Sequence, residues 1–197
     1  MATMRANLSA GGPRSSSSER GRTRGWTSIE LLTACALVAT LATLAVPQFK
    51  EAAANARHYD RVHAMLRSLH LARSTAVMRA QPVVVCASRD GKRCSGEESW
   101  GWSSGWIVFV NQDRGLPAQV DEDDEILARE NPAHAQLRVS ANRPALVYWP
   151  FARGGTTASI VFCDSRGPRT ARAIIISHTG RPRVSARDAS GRALRCG

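Results

Sequence analysis

The chain has 197 residues, of which 43% are hydrophobic and 22% are charged. This length and composition suit one folded domain with an appended segment, and they exclude a wholly disordered chain. The formal net charge of +11, carried mostly by arginine, favours phosphate groups or acidic surfaces as partners over a neutral substrate. Charge is uneven, because residues 1–25 and 164–197 are strongly basic whereas residues 111–130 are acidic.

The N-terminal part of the chain has the pattern of a membrane anchor. Residues 1–25 are rich in Ser, Gly and Arg without apolar periodicity, so we expect no folded structure there. Residues 31–46 carry no charge, and with residues 26–29 they approach the roughly 20 residues that cross a bilayer. The basic flank should stay in the cytoplasm, which places the C-terminal bulk on the far side of the membrane. A cleaved secretory signal is the alternative, but the apolar run continues through Pro47 into helix-forming sequence.

The segment GWTSIE at residues 25–30, followed by an apolar helix with Pro47, resembles the class III signal of type IV pilins and pseudopilins. In that family a prepilin peptidase cleaves after the glycine and methylates the new N-terminus, which the resemblance assigns to Gly25 and Trp26. Glu30 and Pro47 then match the family's assembly glutamate and helix proline. A carboxylate near hydrocarbon is costly unless it is paired. The expected partner of Glu30 is the amine of Trp26, in the same or a neighbouring subunit.

The helix should continue beyond the membrane. Apolar residues recur there at spacings of three and four, which predicts one buried stripe with arginines on the surface. The members of the stripe are Val62, Met65, Leu66, Leu69, Ala72, Ala76 and Val77. Three histidines on this helix have spacings of five and seven, unlike a helical zinc site, so we expect them to be solvated.

Six short strand-like runs follow the helix, separated by Gly, Pro, Asn and Asp. They cover residues 83–86, 106–110, 125–129, 145–149, 159–163 and 173–177. One long helix followed by short strands predicts an α+β fold with antiparallel sheets.

The cysteines indicate an oxidising compartment. Cys35 lies in the membrane segment, and the remaining four, Cys86, Cys94, Cys163 and Cys196, allow three pairings. An Asp-Gly turn within CASRDGKRC favours a hairpin closed by Cys86 and Cys94. Cys163 and Cys196 would then tie the C-terminal tail to a strand. A four-thiolate zinc site is the alternative, but the spacings lack short paired ligands, so we expect no metal.

Five further blocks resemble the FimT/GspH-like minor pilins in the same order along the chain. They are LARSTAVMRAQPVVVCAS, WSSGWIVFV, DEDDEIL, FCDSRG and ARAIIISHTGRPR. The resemblance implies a type IV pilin-like fold with a leader at 1–25, a transmembrane and assembly half of the helix at 26–53, and a periplasmic globular domain at 54–197. It also implies a single-pass protein of the bacterial inner membrane that assembles with other pilins, with the pilus tip as one position.

Residues 180–183, GRPR, match the G-R-x-R motif associated with the DNA-binding FimT branch. Gly180 can adopt a positive φ, and Pro182 restricts the geometry of a loop that presents Arg181 and Arg183. Each guanidinium can form a fork onto phosphate oxygens. The resemblance therefore implies binding to the backbone of double-stranded DNA, without sequence specificity, during DNA uptake in natural transformation. Further expected contacts are Arg187, Arg172, Arg169, Lys92 and Arg93.

Other functions remain open. The chain could be a GspH-like minor pseudopilin of a type II secretion system, or a pilus-assembly minor pilin that does not bind DNA. No nucleophile elbow, phosphate loop or metal-ligand set occurs in the sequence, so we expect no enzyme, no cofactor and no small-molecule substrate. The tryptophans at 100, 102 and 106 could stack on bases, but such a cluster more often belongs to the core or to a contact surface between pilins. The acidic run at 121–125 lacks the spacing of a calcium loop and favours a solvated one.

Overall fold

The computed structural model describes residues 25–96, 101–150 and 155–196, so the expected leader lies outside the described residues except for Gly25. The chain divides into two compact units, Met1–Pro47 and Gln48–Gly197. The elements are the helix α1 (Ser28–Arg79), a short 3-10 turn (Trp102–Ser104), and the strands β1 (Val83–Ala87), β2 (Trp106–Val110), β3 (Glu125–Glu130), β4 (Leu137–Ala141), β5 (Ala145–Tyr148), β6 (Ala158–Asp164), β7 (Arg172–Ile176) and β8 (Pro182–Ser185).

The first unit contains the N-terminal part of α1. Thr27 caps the helix, because its Oγ1 accepts a hydrogen bond from the Glu30 N–H at 3.3 Å. The side chains that follow are largely exposed, as for Leu31 and Leu41 at 58% and 66%. By length and composition this part of the helix could cross a membrane. Pro47 lies inside α1 and is the last residue of this unit.

In the second unit, the apolar stripe of α1 packs against both sheets. Val62, Met65 and Leu69 share one cluster with inner-face residues such as Val85 of β1 and Ile160 of β6. Among the described residues, the buried side chains begin at position 58 and all lie within this unit. The unit that begins at Gln48 therefore has a complete core of its own.

One residue assigned to the stripe is exposed. Val77 has 60% of its surface accessible, whereas its neighbour Ala76 is fully buried. The turn of about 100° per residue carries Val77 away from the face that Val62 and Leu69 occupy. Its assignment to the buried stripe was wrong.

Two side chains expected in solvent are buried, because their positions around the helix place them on the packed face. His58 lies four residues before Val62, and Arg61 lies four residues before Met65, so both fall on the packed face. The His58 Nε2 lies 3.2 Å from the carbonyl oxygen of Phe162. The guanidinium of Arg61 stacks over the ring of Trp106 at 4.0 Å, and burial lowers its pKa to about 10.

Two antiparallel four-stranded sheets complete the unit, which confirms the predicted α+β class. The first has the order β3-β2-β1-β5 and the second β4-β6-β7-β8. The strands β4 and β8 were not predicted. The tryptophans Trp102 and Trp106 are fully buried and belong to the core, whereas Trp100 lies outside the described residues. The favoured interpretation as core residues is confirmed for Trp102 and Trp106, and their burial excludes the alternative of base stacking.

Both sheets are also covered on the face turned away from α1. On the first sheet, Ile107 and Phe109 pack with Ala118 of the following loop. On the second sheet, Leu194 of the tail packs on Ala173 and Ile175. The tail is thus part of the folded unit.

The two disulfides join the pairs expected from the sequence, Cys86 with Cys94 and Cys163 with Cys196. The first does not close a hairpin, however, because β1 pairs with β2 and β5 and the described residues 88–96 contain no strand. It closes a single loop over the outer face of the first sheet.

Candidate nucleic-acid interface

The arginine turn, residues 180–183, connects β7 to β8 and includes the first two residues of β8. Gly180 has φ 73° and donates its N–H to the Ser177 carbonyl oxygen at 2.8 Å. The position is also crowded, since a Cβ there would lie 3.1 Å from Cε1 of Tyr148. Glycine is therefore needed both for the left-handed backbone and for the close approach to Tyr148.

Arg181 and Arg183 are exposed at the edge of the second sheet. The predicted loop is wrong for Arg183, which lies in β8 opposite Ile175 of β7. Arg183 pairs with Ile175 on the outer face of this sheet, whereas Arg181 immediately precedes β8. A single residue separates the two arginines, so their Cα atoms lie at most about 7 Å apart. In the described part of the chain, neither guanidinium forms an ion pair or a hydrogen bond.

The tail after β8 is internally bonded. Arg187 donates from Nη1 to the Gly191 carbonyl oxygen at 2.9 Å, and Arg192 donates from Nε to Asp188 Oδ2 at 3.0 Å. Hydrogen bonds from Ser190 and Arg192 lower the pKa of Asp188 to about 2. These arginines are thus partly committed to the fold of the tail.

Arg172 and Arg183 lie on opposite faces of the second sheet. Arg172 pairs with Phe162, whose side chain faces α1, whereas Arg183 pairs with Ile175 on the outer face. Arg169 is exposed in the turn before β7. The structure therefore divides the expected basic residues between two surfaces.

Lys92 and Arg93 lie in the disulfide loop of the first sheet. Their N–H groups donate to Asp90 Oδ1 at 2.8 and 2.9 Å, which lowers the pKa of Asp90 to about 2. Arg129 of β3 donates to the Gly91 carbonyl oxygen at 2.8 Å. The loop is therefore held beside β3, at the opposite edge of the first sheet from β5.

The arginine turn is instead packed next to β5, through Tyr148. Tyr148 also forms a bridge with Gly155 and is only 2% exposed. The structure consequently does not bring Lys92 and Arg93 together with Arg181 and Arg183. Sequence reasoning missed Tyr148, because nothing in the sequence links it to a glycine 32 positions later.

The predicted processing and assembly residues lie at the start of α1. Gly25 and Trp26 precede the helix, and Trp26 is 74% exposed. Glu30 lies in the first turn of the helix, where the positive end of the helix dipole stabilises a carboxylate. The pattern Thr27-x-x-Glu30 is that of a capping box, so the start of the helix is also marked in the sequence.

Acidic side chains in the loop before β3 bind the loop itself. Asp124 Oδ1 accepts the Gln112 N–H at 2.9 Å, and its Oδ2 accepts the Asp121 N–H at 3.3 Å. Burial and the neighbouring carboxylates raise the pKa of Asp121. Among the described residues, no three His, Cys, Asp or Glu side chains are grouped to hold a metal ion.

The sequence profile of a protein family described as Type II transport protein GspH matches residues 61–180. Solved structures with limited similarity to this chain include a minor pilin and a minor pseudopilin. The type IV minor pilin FimU of Pseudomonas aeruginosa (strain PAO1) is 19% identical with a TM-score of 0.45, over 70% of this chain and 92% of that one. The minor pseudopilin EpsH from the Type 2 Secretion System of Vibrio cholerae is 12% identical with a TM-score of 0.47, over 66% and 96%.

No curated protein matches the chain significantly in sequence. The family profile, in contrast, spans more than half of the chain and most of the second unit. Its members are structural pilins and pseudopilins rather than enzymes. The chain therefore belongs to the GspH family of minor pilins and pseudopilins.

Proposed function

We propose that this chain is a minor type IV pilin that binds double-stranded DNA through the arginine turn and serves DNA uptake in natural transformation. The observation that supports this most is the exposure of Arg181 and Arg183 without a carboxylate partner among the described residues. By contrast, Arg166 and Arg192 are each paired with an aspartate. The family match ends at Gly180, so the DNA-binding role rests on residues beyond it.

Contact with phosphate groups explains this arrangement better than base recognition. The two exposed guanidiniums at the edge of the sheet can each form a fork onto a pair of phosphate oxygens. The long helix α1 packs its apolar face into the core of the second unit, and it therefore cannot enter a DNA groove with that face. Binding should be independent of sequence and should weaken steeply as salt rises.

The test is a salt series of duplex binding by the soluble unit that begins at Gln48. Arg181→Gln with Arg183→Gln should weaken binding and reduce the slope of log affinity against log salt by about 2, because two phosphate contacts are lost. A matched control is Arg67→Gln with Arg143→Gln, which removes the same charge from exposed positions elsewhere. Equal losses in the two double variants, or unchanged binding in the first, would contradict the proposal.

In cells, the Arg181 and Arg183 double variant should lower transformation while pili still assemble. Loss of the pili themselves would instead identify an assembly role without DNA binding. This measurement separates the proposed function from a general requirement for the subunit.

A second candidate function is that of a minor pseudopilin in a type II secretion system. The description of the matched family, a type II transport protein, favours it. Deletion of the gene would then abolish export of a periplasmic substrate and leave transformation intact. The arginine double variant would have no effect on that export.

We further propose that prepilin peptidase cleaves after Gly25 and that Glu30 pairs with the amine of Trp26 during assembly in the inner membrane. The exposed start of α1 supports access to this bond. Mass spectrometry of the mature chain should show Trp26 as a methylated N-terminus. Glu30→Gln should be processed normally but should not enter pili, whereas normal assembly of this variant would exclude the pairing.

A further inference from the structure

A cleft of about 520 Å³ opens between α1 and the β8 edge of the second sheet. On the helix it is lined by Asn55, Tyr59 and His63, which recur every four residues and therefore share one face. On the sheet side, Val184 pairs with Ile174 but keeps 45% of its surface exposed, while Ile174 is fully buried. The helix thus covers the sheet as far as β7 and leaves the inner face of β8 open.

An aromatic platform stands at the helix side of this cleft. The rings of Tyr59 and His63 have their centroids 3.9 Å apart, at an angle of 37°. Tyr59 remains 63% exposed although it lies in the folded unit. A ring that is already packed against a neighbour loses little freedom when it binds a flat ligand.

The opposite wall of the cleft is cationic. Arg169 is exposed, and Arg172 is held by a hydrogen bond from its Nη1 to the Ala171 carbonyl oxygen at 2.8 Å. Arg166 is already paired with Asp164, and it also donates to Asn55 Oδ1 at 2.6 Å across the cleft. No carboxylate occurs among the described residues that line the cleft. Two arginines therefore remain for an anionic ligand.

We infer that this cleft binds single-stranded DNA, with Tyr59 as a stacking platform for one base and Arg169 and Arg172 as contacts to the phosphates. Cations beside an exposed aromatic ring are the combination that single-strand binders use. A base within a duplex cannot offer its face to Tyr59, because its neighbours cover it. The inference deepens the proposed function and rests on it, because it adds a single-strand site behind the duplex-binding arginine turn.

The experiment compares fluorescence polarisation of a 12-nucleotide oligo(dT) and a 12-base-pair duplex on the full-length chain in detergent. Tyr59→Ala should weaken oligo(dT) binding about tenfold, within the range that one stacked base contributes, and should change duplex binding less than about twofold. Tyr59→Phe keeps the ring and should retain oligo(dT) binding. Arg169→Gln with Arg172→Gln should weaken oligo(dT) binding more than the matched Arg67→Gln with Arg143→Gln.

The outcomes separate this inference from the proposed function. Unchanged oligo(dT) binding by Tyr59→Ala overturns the inference. The proposed function is still supported in that case if the Arg181 and Arg183 variant loses duplex binding. If that arginine variant keeps duplex binding while Tyr59→Ala loses oligo(dT), the cleft stands and the proposed function fails. If Tyr59→Ala disrupts pili but leaves oligo(dT) binding intact, the cleft is a contact between pilins and the inference is wrong.

Discussion

The replacement of Gly180 by alanine tests how the arginine turn is positioned. An L-residue at φ 73° costs about 1 to 2 kcal/mol relative to glycine. The added Cβ would also lie 3.1 Å from Cε1 of Tyr148 and 3.4 Å from the Gly155 nitrogen. Gly167 offers a matched control, because it has φ 85° and a Cβ added there would meet no atom within 4 Å beyond its chain neighbours.

The two substitutions should therefore differ in their effect on the free energy of unfolding. Gly167→Ala carries only the cost of the left-handed backbone, about 1 to 2 kcal/mol. Gly180→Ala should cost at least about 1 kcal/mol more than Gly167→Ala, because the buried ring of Tyr148 must also shift to accept the methyl group. Since the turn must shift to accept the methyl group, Gly180→Ala should also weaken duplex binding.

Urea unfolding of the soluble unit from Gln48 measures both costs. Equal destabilisation by the two alanines would refute the role of the Tyr148 contact. So would full additivity of Gly180→Ala and Tyr148→Leu, since residues in contact should show an interaction energy.

Three more predictions concern the folded unit. Replacement of Cys163 and Cys196 by alanine should lower the unfolding free energy by about 4 kcal/mol from chain entropy alone, given a sequence separation of 33, as measured by urea unfolding. The pKa of Asp164 is lowered from 3.8 to about 2, chiefly by a guanidinium hydrogen bond, so its stabilising contribution is complete above pH 4 and is lost as the pH falls through 2. Asp164→Asn should flatten that acid limb of a stability profile. Arg61→Met should change the free energy of unfolding by no more than about 1 kcal/mol in thermal unfolding. Two buried guanidinium nitrogens of Arg61 lack partners in the described part of the chain, and methionine keeps the packing on Trp106. Arg61→Ala should cost more, because alanine loses that packing.

The sequence predicted the helix and six strands because their apolar periodicity is strong. It missed β4 although the run LRVSA alternates apolar and polar residues, which is the pattern of a half-buried strand, so this signal was present in the sequence. It missed β8 because Pro182 and two arginines within four residues are typical of a turn. Proline is tolerated there since β8 is an edge strand, and the pairing with β7 supplies the order that local propensity lacks.

The candidate site was only partly predictable. The motif at 180–183 can be found by inspection, but the division of arginines between two faces depends on the register of β7 and β8. The burial of Arg61 likewise depends on Trp106, which is 45 positions away and is placed by the first sheet. Such contacts arise from tertiary packing, and no local pattern records them.

The disulfide between Cys163 and Cys196 also has a mechanical consequence. It closes a covalent ring that contains β7, the arginine turn and β8, and one end of the ring is fixed in the middle of the second sheet. A pulling force on Arg183 could break the hydrogen bonds of an edge strand, but it could not extend the chain beyond the ring. Arg181 and Arg183 are therefore tethered to the middle of the sheet by covalent bonds that unzipping of β8 does not break.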